Sequence, residues 1–322
     1  MSRPAPTEET VCNLCGGGDY EAVATSDRDG RPLRTVMCRG CGLVWTNPRP
    51  SVEDMNAYYA TEYRADYTGA AAPPLRKIVR GMLGAHDRWR ALRPLLRDGA
   101  ALVDVGCGAG EFVYLLRRRH VDASGIEPGR EYAEFARQTL GIPIQTATVE
   151  NAVVAPASQD VVTMFHALEH VPDPKRVLET VRGWLKKGGL LVVEVPNVES
   201  TVQAPSHKFH YAHLHHFTGP TLGALGEAAG LRLVRTYHSD DGGNVTCVFR
   251  RQTDQEHPPT GMAVPAARTR SVLASHTAVR HYLSPTPYRR VVGRLRRRWE
   301  EDRLLRRLKT VDDVLLWAAD RL

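Results

Sequence analysis

Val103 to Gly110 reads V-D-V-G-C-G-A-G, and the rest of the chain is arranged around this stretch. The apolar run over 101–105 predicts a short buried strand, and residues 111–118 predict a helix directly after it. Glycine at alternate positions lets the backbone turn sharply and lets a ligand approach the main chain. The sequence therefore predicts a ligand-binding turn between a strand and a helix.

Strands and helices alternate after this turn, and the alternation predicts the architecture. Six further strands are predicted at residues 121–126, 142–146, 160–165, 190–195, 231–238 and 244–250. Predicted helices at residues 131–140, 174–185 and 218–229 separate them. Such alternation is typical of an α/β fold with a doubly wound, Rossmann-like sheet. We expect seven strands, the last of which is antiparallel because it closes a hairpin.

Four cysteines near the N-terminus form two pairs, Cys12 with Cys15 and Cys38 with Cys41. Two CxxC pairs at this separation predict a zinc ribbon with tetrahedral four-thiolate coordination. Four protein ligands leave no open position, so the ion would stabilise the fold rather than catalyse. Two disulfides, or unrelated thiols, are the alternatives.

Changes in composition divide the chain into four predicted segments. Residues 1–50 form the zinc-binding ribbon, 51–100 a helical linker or lid, 101–250 the domain with the glycines, and 251–322 a linker and basic helical tail. The last segment holds 15 basic and 8 acidic residues, so it carries the whole net charge of +7. The neutral remainder argues against a nucleic-acid substrate.

The tail is predicted as a loop over 252–269 and as helix over 285–322. A heptad-like seam runs along that helix through Leu304, Leu308, Val311, Leu315, Ala318 and Leu322. The seam would allow a homodimer, whereas packing on the body, or binding to nucleic acid or an anionic membrane, are alternatives. No apolar stretch is long enough to cross a bilayer, and residues 1–10 lack an apolar signal core, so a cytoplasmic location is expected.

Two ligand types use a glycine turn of this kind, dinucleotides and S-adenosylmethionine (SAM). A dinucleotide site has the spacing G-x-G-x-x-G, whereas Gly106, Gly108 and Gly110 give G-x-G-x-G. Glu127 ends the second predicted strand, where a carboxylate can accept hydrogen bonds from the ribose hydroxyls of either ligand. The seven strands with a final hairpin are unlike a standard dinucleotide domain and favour SAM.

Four stretches taken together resemble one family. They are V-D-V-G-C-G-A-G, G-I-E-P over 125–128, D-V-V-T-M-F-H-A-L-E-H-V-P-D-P over 160–174, and L-K-K-G-G-L-L-V-V-E-V-P-N over 185–197. Residues 101–250 are similar to class I SAM-dependent methyltransferases. With the cysteine module in front, the chain more loosely resembles zinc-ribbon methyltransferases of sugar and natural-product pathways, although its tail is shorter than their C-terminal domain.

The resemblance implies a set of SAM-binding positions. They are Asp104, Gly106, Gly108 and Gly110 near the amino-acid part of SAM, Glu127 at the ribose, Pro128, Thr148, Val149 and Glu150 around the adenine, and Phe165 near the sulfonium. Ligands of open α/β sheets bind beyond the carboxyl ends of the strands, which agrees with this placement.

Histidines are the candidate general bases, since their ordinary pKa suits proton transfer at neutral pH. His166 and His170 follow the fourth predicted strand of the series. A second group, His207, His210, His213, His215 and His216, follows the next strand, where a loop covering the substrate is expected. We expect His215 or His216 to be the base in that group. It contains no regularly spaced carboxylate, which argues against a second metal site.

The expected function is SAM-dependent methyl transfer to a small-molecule acceptor, either a sugar or an intermediate of secondary metabolism. One alternative is a different reaction at the SAM site, such as cyclisation of a natural product. Another is a nucleic-acid methyltransferase that binds its substrate through the ribbon and the arginine-rich tail. A third is a non-catalytic SAM-fold interaction module.

Overall fold

The computed structural model describes residues 7–51, 54–55, 73–252 and 266–320. The chain divides into two compact units, each assembled from three segments. The first unit contains Met1–Asp66, His166–Arg182 and Val192–Arg290. The second unit contains Tyr67–Phe165, Gly183–Leu191 and Val291–Leu322.

Strands of the described residues are numbered in chain order. They are β1 (Tyr20–Ser26), β2 (Pro32–Cys38), β3 (Val44–Thr46), β4 (Ala101–Val105), β5 (Asp122–Ile126), β6 (Ile144–Gln145), β7 (Gln159–Phe165), β8 (Leu185–Pro196), β9 (His215–His216), β10 (Leu231–His238) and β11 (Asn244–Arg251). Strands β1, β2, β3 and β9 form a small sheet in that order. The other seven form a large sheet.

Helices of the described residues are also numbered in chain order. They are α1 (Leu75–Leu92), α2 (Glu111–Arg117), α3 (Arg130–Thr139), α4 (Pro174–Trp184), α5 (Gly219–Ala228), α6 (Ala266–Ser275), α7 (Ala278–Leu283), α8 (Thr286–Leu305) and α9 (Val311–Asp320). None of them combines the length and the hydropathy that a membrane-spanning helix needs.

The large sheet has the order β10-β11-β8-β7-β4-β5-β6. Strand β4 pairs in parallel with β5 and β7, and β5 pairs in parallel with β6. Strands β10 and β11 form an antiparallel hairpin. The predicted seven-stranded, Rossmann-like sheet with its final antiparallel hairpin is therefore confirmed. Strand β4 is buried along nearly its whole length, which explains its continuous apolar sequence.

Local signals set several element ends. Helix α1 stops at Leu92 and continues as a 3₁₀ turn that contains Pro94, because proline cannot donate the next helical hydrogen bond. Ser51 and Asp54 exchange backbone-to-side-chain hydrogen bonds of 3.0 and 3.3 Å, as predicted for a capped helix start. The tyrosines Tyr58, Tyr59, Tyr63 and Tyr67, which the sequence suggests could close a pocket, lie outside the described residues.

Three predicted boundaries are wrong. Strand β8 begins at Leu185, the last residue of the predicted helix, and includes residues 186–189, which are predicted to separate that helix from the next strand. Helix α6 begins at Ala266, within the predicted loop. The tail is not one helix: α8 ends at Leu305, and a new helix starts after Thr310. This break interrupts the heptad-like seam, and Leu308 and Leu315 are buried within the chain.

Candidate functional site

The glycine turn, defined here as Gly106 to Gly110 with Asp104 and Glu127, lies in the second unit. Gly106, Gly108 and Gly110 have φ of 72°, 58° and 83°, in the left-handed region that favours glycine. The amides of Gly106 and Cys107 both donate to the Ile126 carbonyl, at 2.8 and 3.2 Å. These bonds hold the turn against the end of β5, beside the position of Glu127.

Gly108 borders open space, whereas Gly110 does not. A Cβ atom added at Gly108 would meet no heavy atom within 4 Å. A Cβ atom at Gly110 would come within 2.5 Å of Ile142 Cδ1, so that glycine is required by packing. The backbone at Gly108 is therefore open to a ligand, and Gly110 keeps α2 close to its neighbours.

Glu127 is held by backbone amides at both carboxylate oxygens. Its Oε2 accepts from Gly108 N at 2.9 Å, and its Oε1 accepts from Gly129 N at 2.8 Å. Burial raises the pKa of this carboxyl, and the two amides oppose that shift. Each oxygen keeps a lone pair for one more donor. This arrangement fits a carboxylate that holds a diol.

Asp104, on β4, is fully buried and accepts a hydrogen bond of 2.6 Å from the Thr163 hydroxyl on β7. Burial raises the pKa of Asp104 to about 6, against the opposing effects of Arg88 and Thr163. A carboxyl in this position is easily protonated near neutral pH unless a cation lies close to it.

The remaining predicted cofactor positions lie in the second unit as well. Phe165 ends β7; its ring meets Phe112 edge-on at 5.5 Å, and the Arg88 guanidinium lies 4.2 Å from its centroid. Val149 is buried in a 3₁₀ turn. The exposed positions are Pro128, Thr148 and Glu150.

The four N-terminal cysteines converge in the first unit. Their sulfur atoms all lie within 4.8 Å of one another, with Cys12 to Cys41 at 3.4 Å and Cys15 to Cys38 at 3.5 Å. All four are free thiols, so the disulfide alternative is wrong. A hydrogen bond with Cys41 lowers the pKa of Cys12 to about 5.

Two tight turns shape this cysteine cluster. Gly16 N donates to the Cys12 carbonyl at 2.8 Å, and Gly42 N donates to the Cys38 carbonyl at 2.9 Å. Both glycines have φ of 73°. Each CxxC pair is thus a knuckle that directs two sulfurs to one point, the donor set of a closed tetrahedral site.

A second group of polar side chains lies elsewhere in the first unit and is called here the histidine cluster. Its members are His166, Glu169, His170, Glu194 and His213. They come from the residues after β7, from β8, and from the segment before β9. Three of these residues offer potential metal-ligand atoms that lie within 4.8 Å of one another, namely Glu169, His170 and His213.

His166 lies between two carboxylates. Its Nδ1 is 3.4 Å from Glu169 Oε1, and its Nε2 is 3.3 Å from Glu194 Oε1. Although burial lowers its pKa, the two carboxylates outweigh this effect and raise the pKa to about 9. Its φ of 54° is unusual for a residue with a side chain. At neutral pH the ring is therefore predominantly an imidazolium.

His170 and His213 meet edge to face, with 4.9 Å between ring centroids. His170 Nδ1 contacts the Ala212 carbonyl at 2.9 Å, which fixes the orientation of the ring. Burial, and then the neighbouring imidazoles, lower the pKa of His213 well below its ordinary value. Glu169 is 1% exposed, and its carboxylate contacts the imidazoles of His166 and His170 at ion-pair distances of 3.4 and 3.8 Å.

His215 and His216 do not lie on an exposed lid, so that expectation is wrong. They form β9, which pairs with Val44 and Trp45 of β3. Both are buried, and burial lowers the pKa of each ring to about 3. Their position in a sheet leaves the assignment of either ring as a base without support from geometry.

Comparison with known proteins agrees with the methyltransferase resemblance that the glycine turn indicates. Residues 81–236 match the family model described as a methyltransferase domain. The chain contains a class I SAM-dependent methyltransferase domain. The matched residues include the glycine turn, β4 to β9, and most of β10.

Relatives of the methyltransferase domain have been named in bacteria. The C-methyltransferase NovU of Streptomyces niveus is 26% identical over 268 residues, covering 76% of this chain and 61% of that protein. A ubiquinone biosynthesis O-methyltransferase of Aeromonas salmonicida is 34% identical over 105 residues, 31% of this chain and 44% of the relative. The chain thus spans less than two thirds of either protein.

Solved structures of methyltransferases are also similar to this chain. The 1,6-didemethyltoxoflavin-N1-methyltransferase of Burkholderia thailandensis has a TM-score of 0.49 at 16% identity, covering 66% of this chain and 96% of that one. Magnesium protoporphyrin IX methyltransferase of Synechocystis has a TM-score of 0.48 at 13% identity, covering 63% and 100%.

Two polar residues escaped the sequence analysis as site candidates: Thr163 and Glu194. Thr163 and Glu194 lie on strands of the methyltransferase domain, where alternation alone does not show which side chains share a face with a distant carboxylate. Glu169 was visible beside His170 in the sequence. His213 stood in the histidine run, with no local signal that separated it from its neighbours.

Proposed function

We propose that this protein transfers a methyl group from SAM to a small-molecule acceptor. The observation that carries the proposal is the glycine turn, where Glu127 retains hydrogen-bonding capacity beside the open backbone of Gly108. The relatives named above are a C-methyltransferase and an O-methyltransferase, which supports a small acceptor such as a sugar or a secondary metabolite.

The glycine turn would hold SAM through its backbone and its carboxylates. Glu127 would accept hydrogen bonds from the ribose hydroxyls, and Gly106 and Gly108 would let the amino-acid part approach the main chain. Asp104 would orient the turn and offer negative charge to the SAM ammonium. Pro128, Thr148, Val149 and Glu150 would border the adenine, and Phe165 the sulfonium. SAM, when bound, supplies an activated methyl carbon.

Among the four predicted histidines, His166 is the one that we assign to proton transfer. Its side chain is 37% exposed, against 24% for His170, and it directly follows Phe165 in the chain. Glu169 and Glu194 orient the ring and stabilise its protonated form. The fraction of His166 that is unprotonated, which grows as the pH rises towards 9, can accept a proton and is a stronger base than an unperturbed histidine.

The cysteine cluster would hold a structural zinc ion. Four sulfurs within 4.8 Å, in two knuckles, match the donor set that zinc prefers and leave no position for a substrate. The division at residues 50, 100 and 250, the cytoplasmic location and the homodimer remain predictions.

The test combines cofactor binding with product analysis. Isothermal titration with S-adenosylhomocysteine should show strong binding to the wild type and a loss of at least about tenfold in Glu127→Ala, since two ribose hydrogen bonds disappear. Asp104→Ala should weaken binding too. Incubation with SAM and candidate sugar or phenolic acceptors should yield a product heavier by one methylene unit.

Glu179→Ala is the matched control because Glu179 is exposed on α4 and is not part of the glycine turn. It should bind S-adenosylhomocysteine as the wild type does. Undiminished binding in folded Glu127→Ala and Asp104→Ala proteins would overturn the site. A SAM-dependent product of unchanged mass would replace methyl transfer by another reaction, such as cyclisation.

A further inference from the structure

Helix α8 carries an apolar stripe that faces solvent. The stripe consists of Tyr288, Val291, Val292, Leu295 and Trp299. Their exposed fractions are 61%, 54%, 65%, 61% and 61%. At about 100° of rotation per residue, the five side chains fall within roughly one third of the helix circumference. Such a concentration of exposed apolar groups on one helix face indicates an interaction surface.

The opposite side of α8 is the side that packs on the protein. Glu301 is 3% exposed and pairs with Arg80 at 2.7 Å and with Arg76 at 3.5 Å, both on α1. Glu301 projects roughly 140° around the helix from the centre of the stripe. This ion-pair cluster anchors the helix in the second unit and turns the stripe outward.

Arginines border the stripe along both edges. Arg289, Arg296 and Arg303 follow one edge, and Arg294 and Arg298 follow the other; all five are exposed. Helix α8 contains seven arginines and three acidic residues. Two of the three acids, Glu301 and Asp302, pair with arginines of α1, so the outward charge is strongly positive.

A second copy of this chain does not fit the stripe. The apolar positions cover less than two heptads, and the next position of the seam is Asp302. Stable coiled coils need a longer seam. Paired copies would also place the arginines of both edges against like charges. Nucleic acid would use the arginines but would leave the apolar stripe without a partner.

We propose that α8 binds the surface of an anionic lipid membrane. The helix would lie in the plane of the interface, with Leu295 and Trp299 in the headgroup and acyl boundary. The flanking arginines would extend toward lipid phosphates, as long basic side chains do beside a buried apolar face. The proposal is independent of the acceptor and of catalysis.

Vesicle co-sedimentation of the full chain tests this surface. We expect binding to phosphatidylcholine vesicles that contain phosphatidylglycerol, weak binding to pure phosphatidylcholine, and loss of binding at high salt. The double variant Leu295→Ser, Trp299→Ser should lower the partition coefficient at least about tenfold, because it removes two membrane-inserted side chains. Arg296→Gln with Arg298→Gln should lower it several-fold on anionic vesicles.

Leu316→Ser is the matched control, since Leu316 is 66% exposed on α9 and lies outside the stripe. It should bind vesicles as the wild type does. Equal binding of the stripe variant and the control would overturn the proposal, as would absence of binding at low salt. Sedimentation velocity that shows a wild-type dimer dissociated by the stripe variant would assign the stripe to a second copy instead. Binding of RNA that survives in the stripe variant, without vesicle binding, would assign the arginines to nucleic acid.

Discussion

The glycine turn and the histidine cluster both contain buried carboxylates, but different groups hold them. In the glycine turn, backbone amides hold Glu127 and a hydroxyl holds Asp104. In the histidine cluster, Glu169 and Glu194 face the imidazole of His166. Amides cannot change their charge near neutral pH, whereas imidazoles can. The backbone amides of the glycine turn are therefore a fixed binding frame in which the Asp104 carboxyl titrates near neutral pH, whereas in the histidine cluster the groups that face the carboxylates titrate as well.

The two sites also differ in how the chain assembles them. The backbone of the glycine turn comes from one short stretch, and Glu127 joins it from the neighbouring strand β5. The histidine cluster combines residues after β7, a residue of β8 and a residue before β9. Its geometry depends on a larger part of the first unit, so perturbation of that unit should affect the histidine cluster more than the glycine turn.

The largest expected effect follows from removing one ligand of the cysteine cluster. Cys38→Ser should lower the melting temperature of the first unit by more than about 5 °C, because a structural zinc site contributes several kcal/mol or more to folding. Differential scanning calorimetry measures this, and zinc content falls in parallel. Cys247 is a buried cysteine outside the cluster, so the Cys247→Ala protein should contain as much zinc as the wild type. Full zinc content in Cys38→Ser would contradict the assignment.

The next effect separates binding from stability in the glycine turn. Gly108→Ala and Gly99→Ala are matched, since both glycines have positive φ and nothing within 4 Å of an added Cβ. Each should cost about 1–2 kcal/mol of stability. Only Gly108→Ala should lose affinity for S-adenosylhomocysteine, by at least about tenfold, because its methyl group occupies the ligand's approach. Equal affinities in the two variants would remove Gly108 from the site.

A third effect tests the pH dependence of the histidine cluster. The pKa of His166 is raised to about 9 from an ordinary value of 6.5, so the protonated ring stabilises the fold below pH 6.5. This stabilisation is lost as the pH rises through 9. We expect a loss of about 1–2 kcal/mol, reduced by the partial exposure of the ring. Glu194→Gln should reduce the difference in the free energy of unfolding between pH 6 and a pH above 9, measured from denaturant unfolding curves.

Thr180→Val offers a control for that measurement, because the Thr180 hydroxyl donates to the Arg176 carbonyl of its own helix. Its pH dependence should match the wild type. An unchanged slope in Glu194→Gln would mean that the carboxylate does not set the charge of His166.

Sequence alone predicted the parts of the glycine turn and of the cysteine cluster that depend on neighbouring residues. The glycine turn was predicted because the turn, the strand before it and the helix after it are contiguous. The position of Glu127 followed from strand order. The cysteine cluster followed from two fixed spacings. In each case a local backbone requirement appears directly in the residue types.

The parts that failed depend on partners far along the chain. His215 and His216 were expected on a lid because nothing nearby showed that β3, close to the N-terminus, provides the strand that they pair with. Glu194 was not distinguished from other strand residues for the same reason. The break in the tail did have a local signal: Thr310 and Asp313 cap the start of α9 with bonds of 2.9 and 3.1 Å.

The smallest expected effect concerns the hydroxyl that holds Asp104. Thr163→Val removes the hydrogen bond that opposes the burial of this carboxylate, so its pKa should rise above about 6. Ionised Asp104 attracts the SAM ammonium, so affinity falls as the pH drops through the pKa. The variant should therefore bind S-adenosylhomocysteine several-fold more weakly than the wild type near pH 6.5 and nearly equally at pH 8. Titrations at both pH values, with Thr180→Val as the matched control, measure the shift. Affinity that does not vary with pH in any of the three proteins would show that the charge of Asp104 takes no part in binding, which would leave the glycine turn as a frame of backbone and Glu127 alone.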